Sequence, residues 1–72
     1  MALDGSGDGL AFYRKIIAEA KEYLSENGML FLEIGWNQAE DVSRLMETAG
    51  YTGITVQKDL AGLDRVVYAY RP

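Results

Sequence analysis

The stretch that decides the fold is MLFLEI, residues 29–34, which stands between two glycines. Its side chains alternate between two sides, with Leu30, Leu32 and Ile34 on one side and Met29 and Phe31 on the other. A short run that is apolar on both sides is typical of a strand covered on both faces, as in a parallel sheet. The stretch therefore predicts a buried strand in an α/β protein.

A helix is predicted before this strand. Apolar residues recur at steps of three and four from Leu10 to Leu24, which places them on one face of a helix. Asp8 stands where an N-cap would accept amide protons of the first turn. Asn27 and Gly28 are residue types that tolerate the left-handed conformation found at helix ends.

A second helix is predicted after the strand. Asn37 followed by Glu40 forms a capping-box pattern, in which Asn37 caps the first turn. An apolar stripe from Ala39 to Ala49 follows, and Gly50 ends the helix. This helix would connect the first strand to the second.

Two more strands complete the predicted order of helix, strand, helix, strand, strand. Residues 54–59 alternate between apolar and polar, which predicts a half-buried strand, and residues 65–70 are rich in β-branched and aromatic types. The turn at residues 60–63 makes these strands an antiparallel hairpin, whereas the crossover from the first strand to the second is expected to be right-handed and parallel. We expect the last strand to be central in a three-stranded mixed sheet.

Length and composition limit the possible functions. The 72 residues allow one small domain, with a loop at residues 1–9 and a folded part at residues 10–72. The chain has no Cys and no His, which removes disulfides, the usual zinc ligands and the commonest general base. Eleven acidic residues against seven basic ones give a net charge of -4, which disfavours nucleic-acid binding. No apolar run is long enough for a membrane span and no signal peptide is recognisable, so we expect a soluble cytoplasmic protein.

The glycine-rich segment DGSGDG at residues 4–9 has three interpretations. A loop that cradles a nucleotide would need a strand before it, and only Met1, Ala2 and Leu3 precede this one. A calcium loop would need a bidentate Glu at its twelfth position, which is Lys15 here. A plain loop is the interpretation we favour, so no residue is assigned to a cofactor or a metal.

Residues 33–38, EIGWNQ, form the second candidate site. They lie where a strand passes into a helix, which is the edge where open α/β sheets bind ligands. Glu33 could orient a substrate group or could be a solvated charge at the strand end, and Gln38 could hydrogen-bond a substrate. Trp36 is expected to pack as a lid. No Ser is accompanied by a His that could activate it, so no catalytic residue is assigned.

Three segments, in order and in register, carry a resemblance to a known family. They are DGSGDGLAFYR at residues 4–14, LEIG at residues 32–35 with Gln38 after it, and KDLAGLDRVV at residues 58–67. Together they resemble the C-terminal stretch of the HemK/PrmC family of protein-(glutamine-N5) methyltransferases, over essentially the whole chain. This family uses S-adenosylmethionine to methylate the glutamine of the Gly-Gly-Gln motif in peptide chain release factors.

The resemblance implies a two-layer fragment of a seven-stranded Rossmann-like methyltransferase fold. The family's cofactor loop and its Asn-Pro-Pro-Tyr motif are both absent from this sequence, in which Pro72 is the only proline. We therefore expect the chain to bind no cofactor and to be inactive alone, and whether it is by itself an enzyme stays open. Its expected partners are the remainder of the methyltransferase domain, a release factor for the parent enzyme, and a second copy through residues 29–34.

Two other functions are compatible with the residues. One is a stand-alone acidic α/β protein-interaction module without catalysis. The other is a minimal nucleotide binder that uses residues 4–9. Saturable binding of S-adenosylmethionine at the glycines of that segment would favour the nucleotide binder.

Overall fold

The computed structural model describes residues 9–72, and the five predicted elements are present in the predicted order. They are helix α1 (Ala11–Ala20), strand β1 (Met29–Glu33), helix α2 (Ala39–Thr48), strand β2 (Thr52–Lys58) and strand β3 (Asp64–Tyr70). The predicted cap at Asp8 and all of the glycine-rich segment except Gly9 lie outside the described residues.

The three strands form one sheet in the order β1-β3-β2, so the prediction that the last strand is central is confirmed. β3 is antiparallel to both neighbours, and its Val67 lies opposite Leu32 of β1 and Val56 of β2. The prediction of a mixed sheet is therefore wrong. β1 and β2 run parallel to each other, as a crossover requires, but β3 separates them, so the described strands form no parallel pair.

Both helices share one apolar core with one face of the sheet, which gives two layers. The buried members of this core are Leu10, Ile17, Leu32, Ile34, Ala39, Val42, Met46, Tyr51, Val67 and Ala69. In β1, Leu32 is 7% exposed, whereas its neighbour Phe31 is 56% exposed. The helices cover only the Leu32 side, so the predicted two-layer arrangement is confirmed, and the cover on both faces that the apolar pattern by itself indicates is not found within residues 9–72.

Helix α1 is shorter than its apolar pattern predicts. It begins at Ala11 and ends at Ala20 rather than at Leu24. The amides of Tyr23 and Leu24 both donate to the Ala20 carbonyl, at 3.0 and 2.9 Å, so the helix closes in a tightened last turn. Asn27 has a φ of 70°, which confirms the left-handed residue predicted before β1.

Helix α2 begins at Ala39, and the predicted capping box of Asn37 and Glu40 is wrong, since the N-cap residue is Gln38 and its side chain makes no cap bond. The Gln38 side chain turns back instead, and its Oε1 accepts the Gly35 amide at 2.8 Å. The Gln38 amide also donates to the Gly35 carbonyl at 3.0 Å. Because these two bonds close a turn before the helix, α2 starts only after that turn.

The predicted end of α2 at Gly50 is confirmed. Gly50 has a φ of 92°, and its amide donates to the Glu47 carbonyl at 3.0 Å. The next amide, of Tyr51, donates to the Met46 carbonyl at 3.0 Å. This pair of bonds is a Schellman motif, in which the left-handed glycine lets the chain leave the helix toward β2.

The β2–β3 hairpin is confirmed, but β2 is less buried than predicted. Ile54 is the half-buried residue of this strand, whereas Val56 is 38% exposed, because β2 is an outer strand of the sheet. In the turn, Gly62 has a φ of 85°. Asp59 holds the turn closed, since its Oδ1 accepts the amides of Ala61 and Leu63 at 2.9 and 3.0 Å.

Candidate functional site

A hydrogen-bonded cluster lies at the carboxyl end of β1. It joins Tyr13 of α1 to Glu33, Gly35 and Gln38, and we call these four residues the strand-end cluster. The Tyr13 hydroxyl is 3.0 Å from the Glu33 carbonyl oxygen and 3.3 Å from Gln38 Oε1. The Gly35 amide donates to the same Oε1 at 2.8 Å. The structure therefore brings the two predicted site residues, Glu33 and Gln38, into one cluster.

The Tyr13 hydroxyl acts in this cluster as a donor. Burial, and in second place the negative charge of Glu33, raise the pKa of Tyr13 above its ordinary value of 10.0. The phenol therefore stays protonated at neutral pH, and its one proton goes to one acceptor at a time. Tyr13 thus positions the strand end and does not serve as a base.

The two predicted site residues differ in what they can offer a ligand. The Oε1 of Gln38 already accepts from Gly35 and lies within reach of Tyr13, so within residues 9–72 the Gln38 amide nitrogen is the group that remains to donate outward. The cluster uses the main-chain carbonyl of Glu33, and the residue itself is exposed. Glu33 therefore offers a carboxylate at the surface, and Gln38 mainly holds the turn that follows it.

Two exposed aromatic residues adjoin the cluster. Trp36 follows Gly35 in the chain and is 66% exposed, so the expectation that it packs as a lid is wrong for the described residues. Phe12 is 59% exposed, and its ring meets the Tyr13 ring edge-on at a centroid distance of 5.6 Å. This end of the molecule therefore presents apolar surface beside an exposed carboxylate.

Sequence reasoning missed Tyr13 as a member of the site. Its spacing placed it on the apolar face of α1, and this side chain is indeed half-buried. The available signal was its hydroxyl, because the hydroxyl of a tyrosine that packs against a core usually finds a hydrogen-bond partner. The partner is Glu33, 20 residues away, and helix periodicity does not identify it.

A second candidate surface is the open edge of β1. The Ile34 amide donates to the Arg65 carbonyl beside β3 at 2.9 Å. Because the direction of hydrogen bonding alternates along an antiparallel strand, the main chain of Met29, Phe31 and Glu33 faces away from β3. This side of β1 has no neighbouring strand among the described residues.

The sheet face opposite the helices is aromatic. The Phe31 ring stacks on Tyr68 at a centroid distance of 4.9 Å and an interplanar angle of 28°. Tyr70 is 41% exposed, and it lies so close to Gly53 that a Cβ added there would be 2.8 Å from its ring. We call Phe31, Tyr68 and Tyr70 the open face. It is continuous with the open edge, because Phe31 belongs to both.

Within residues 9–72 no group of three or more acidic, His or Cys side chains is arranged to hold a metal ion. No helix in that range is long and apolar enough to cross a membrane. The predicted absence of a calcium or nucleotide site at residues 4–9 is not tested, since only Gly9 of that segment is described.

The curated proteins that the chain resembles share one description. No protein-family model matches the chain. A release factor glutamine methyltransferase of Thermodesulfovibrio yellowstonii is 52% identical over 66 residues, which are 92% of this chain and 24% of that protein. One of Clostridium acetobutylicum is 44% identical over 71 residues, 99% of this chain and 25% of that protein. The chain thus spans about a quarter of the length of the curated relatives it matches.

A solved structure gives the same likeness in three dimensions. It is the crystal structure of a release-factor-specific protein-(glutamine-N5) methyltransferase from Alicyclobacillus acidocaldarius, which matches with a TM-score of 0.71 at 40% sequence identity. The match covers 89% of this chain and 41% of that chain. The two helices and the three-stranded sheet therefore form a substructure that also occurs within a larger protein.

Proposed function

We propose that the chain belongs to the release factor glutamine methyltransferase family and forms the C-terminal part of the catalytic domain of such an enzyme. The complete domain would transfer a methyl group from S-adenosylmethionine to the glutamine side chain of a release factor in the cytoplasm. The 72 residues would supply three strands of a seven-stranded Rossmann-like sheet. The observation that carries this proposal is the 52% identity over 92% of this chain and only 24% of a relative.

The remainder of the domain would pack on the open edge and the open face. The outward main chain of Met29 and Phe31 offers hydrogen-bonding groups to a further strand, and the stacked rings of Phe31 and Tyr68 offer apolar surface beside it. An unpaired edge next to exposed aromatic rings promotes aggregation, which is a disadvantage for a protein that works alone. The presence of this edge supports the proposal that the chain completes a larger sheet.

The strand-end cluster would serve this function by fixing the loop after β1. Tyr13 and Gln38 together hold the main chain at Glu33 and Gly35. Glu33 is then the substrate-side candidate, since its exposed carboxylate could accept a hydrogen bond from a bound protein. Gln38 would act as a positioning residue whose amide nitrogen could contact the same substrate.

The described residues do not fit S-adenosylmethionine. The Gln38 oxygen and the Tyr13 hydroxyl bond within the cluster rather than toward a ligand. The groove between α1 and α2 measures about 200 Å³, and pockets that enclose a drug-sized ligand usually measure about 300–1,000 Å³. We therefore propose that the cofactor is bound by the remainder of the domain. The chain alone would then be inactive, because methyl transfer needs both reactants held in near-attack geometry.

The alternative of a protein-interaction module without catalysis would use the same open edge of β1. When the 72-residue chain is alone, a second copy is the occupant we propose for this edge. Two β1 strands could pair antiparallel about Phe31, which would place Met29 opposite Glu33 of the other copy and keep the two Glu33 carboxylates apart. The second copy would then occupy the edge at which the remainder of the sheet pairs in the complete domain.

The proposal is tested by mixing the chain with a relative from which the corresponding segment has been removed. The Thermodesulfovibrio yellowstonii protein is prepared without the 66 residues that match, and methyl transfer to a release factor is measured for each piece alone and for the mixture. We expect activity only in the mixture, and no saturable amide shifts when S-adenosylmethionine is titrated into the chain alone. Methyl transfer by the chain alone, or saturable shifts in that titration, would contradict the proposal.

A further inference from the structure

Two leucines in the turn between β2 and β3 are left uncovered by the rest of residues 9–72. Leu60 is fully exposed and Leu63 is 49% exposed. The turn itself is fixed, because Asp59 Oδ1 accepts two amides of the turn at 2.9 and 3.0 Å and the Asp59 amide donates to the Leu63 carbonyl at 2.8 Å. Where the two strands enter the turn, Lys58 and Asp64 form an ion pair at 2.6 Å. The two leucines are therefore carried on a well-supported turn and face solvent.

The register of the sheet places this turn at the same end of the molecule as the strand-end cluster. Glu33 is the last residue of β1 and lies opposite Val66 of β3. The next amide, of Ile34, donates to the Arg65 carbonyl at 2.9 Å. β3 begins one residue earlier, at Asp64, directly after the turn. The loop after β1 and the turn before β3 are therefore neighbours at one end of the sheet.

Exposed apolar side chains concentrate at this end. Phe12 and Trp36 are both more exposed than buried beside the strand-end cluster, and the two leucines add to them. We call these four residues the apolar end: Phe12, Trp36, Leu60 and Leu63. Of the other large apolar residues that are exposed within residues 9–72, Tyr23 lies beyond the opposite end of α1, and the rest belong to the sheet, namely Phe31, Val56 and Tyr70. Such a concentration at one end of a small protein indicates an interaction surface.

The remainder of the catalytic domain does not account for the apolar end. In the complete domain proposed above, that remainder packs on the open edge of β1 and on the open face, and no residue of the apolar end belongs to either. The turn joins β3 to β2, so β3 separates it from the open edge. Open α/β sheets bind ligands at the carboxyl ends of their strands, where Glu33 is exposed. The apolar end therefore lies on the substrate side of the domain.

The substrate of the proposed enzyme needs a recognition surface of this kind. A glutamine side chain is common to most proteins, so an enzyme that modifies one glutamine of a release factor must recognise groups beyond that side chain. Contacts remote from the reacting atoms can supply the required binding energy. Apolar side chains on a fixed turn suit this purpose, because little conformational freedom of the turn is lost on binding.

We propose that the apolar end is a docking surface for the release factor, with Leu60 as its central contact; this inference rests on the proposed function. The segment of the release factor that binds there presents apolar side chains to the two leucines and Trp36, and a hydrogen-bond donor to the Glu33 carboxylate. Leu60 and Leu63 are then specificity residues, since they act on the binding of the protein substrate and not on the methyl transfer itself.

A first measurement needs no catalysis. Unlabelled release factor is titrated into the isotope-labelled 72-residue chain, and the amide signals of the chain are followed. We expect saturable broadening or shifts at Trp36, Leu60 and Leu63. No binding, or changes confined to Met29 and Phe31 on the open edge, would overturn the proposal.

A second measurement uses matched variants of the chain, mixed with the shortened Thermodesulfovibrio yellowstonii protein described above. Leu60→Ser and Tyr23→Ser each remove an exposed apolar side chain, at opposite ends of the molecule. We expect Leu60→Ser to raise the KM for the release factor about tenfold with kcat unchanged, and Tyr23→Ser to leave both unchanged.

The outcomes separate this proposal from the proposed function. An unchanged KM in Leu60→Ser would overturn the docking surface. Failure of Leu60→Ser to bind the shortened protein would also overturn it, because the remainder of the domain would then cover the turn. An inactive mixture with the unaltered chain would contradict the proposed function, and the titration would then decide by itself whether the release factor binds at the apolar end.

Discussion

The Tyr13 hydroxyl lies 3.0 Å from the main-chain carbonyl oxygen of Glu33, and this contact fastens helix α1 to the carboxyl end of β1. The two residues are 20 positions apart, so the bond joins elements that no local turn connects. It holds the strand end beside the turn that Gly35 and Gln38 close. The loop that faces the proposed substrate is therefore supported from the helix layer.

Tyr13→Phe is expected to destabilise the fold by about 1 kcal/mol, because it removes the hydroxyl and leaves the ring in place. Amide exchange should speed up at residues 34–38 in this variant. The control is Tyr23→Phe, since the Tyr23 side chain is 85% exposed and its hydroxyl is solvated. Chemical denaturation of both variants measures the difference. Equal unfolding midpoints for the two would show that the Tyr13 bond adds no stability.

Folding stability should fall at alkaline pH because of Tyr51. Its hydroxyl donates to the Ile17 carbonyl at 2.7 Å, and burial raises its pKa above 10.0, an effect that Arg71 partly offsets. The unfolded chain therefore loses this proton first, so stability is fully present below pH 10.0 and is lost as the pH rises toward the higher folded pKa.

The measurement is the denaturation midpoint from about pH 8 to about pH 11, with Tyr51→Phe beside the unaltered chain. The variant should be less stable at the lower pH, by about 1–3 kcal/mol, because a buried bond is lost. Its further decline above pH 10.0 should be smaller than that of the unaltered chain. A decline of the same size in both would show that Tyr51 does not contribute to it.

The order of elements and the central position of β3 could be predicted because they depend on periodicity and connection length. The start of α2 could not, because the Asn37–Glu40 pattern competes with the Gln38 side chain, which bonds Gly35 instead. The two-layer prediction implies that one apolar side of β1 is left uncovered, but the sequence does not say that the uncovered side is the side of Phe31. An apolar pattern on both sides of a strand predicts burial in whichever assembly covers it, and these residues cover one side only.

The two residues before α2 should respond differently to truncation. Asn37→Ala is expected to change stability by less than about 0.5 kcal/mol, because Asn37 makes no cap bond in the structure. Gln38→Ala is expected to cost about 1 kcal/mol, because the Gly35 amide loses its acceptor. Thermal unfolding of the two variants checks this. A larger loss in Asn37→Ala than in Gln38→Ala would restore the capping box as the start of the helix.

The isolated chain should form a dimer through β1. A charged residue introduced on the open face should prevent this association. Phe31→Lys and Phe12→Lys introduce the same change at phenylalanines of similar exposure, 56% and 59%, but only Phe31 belongs to β1. Sedimentation equilibrium over roughly a hundredfold range of concentration should show a dimer for the unaltered chain and for Phe12→Lys, and a monomer for Phe31→Lys. A monomeric unaltered chain, or a dimer that persists in Phe31→Lys, would contradict pairing through this edge.

The central claim is that the 72 residues are an interchangeable part of a release factor methyltransferase domain, and a chimera tests it most directly. In the Thermodesulfovibrio yellowstonii protein the 66 matching residues are replaced by their counterparts from this chain, and methyl transfer from S-adenosylmethionine to a release factor glutamine is measured beside the parent. We predict that the chimera folds and transfers the methyl group. A chimera that folds and binds the cofactor but transfers no methyl group, beside an active parent, would contradict the claim.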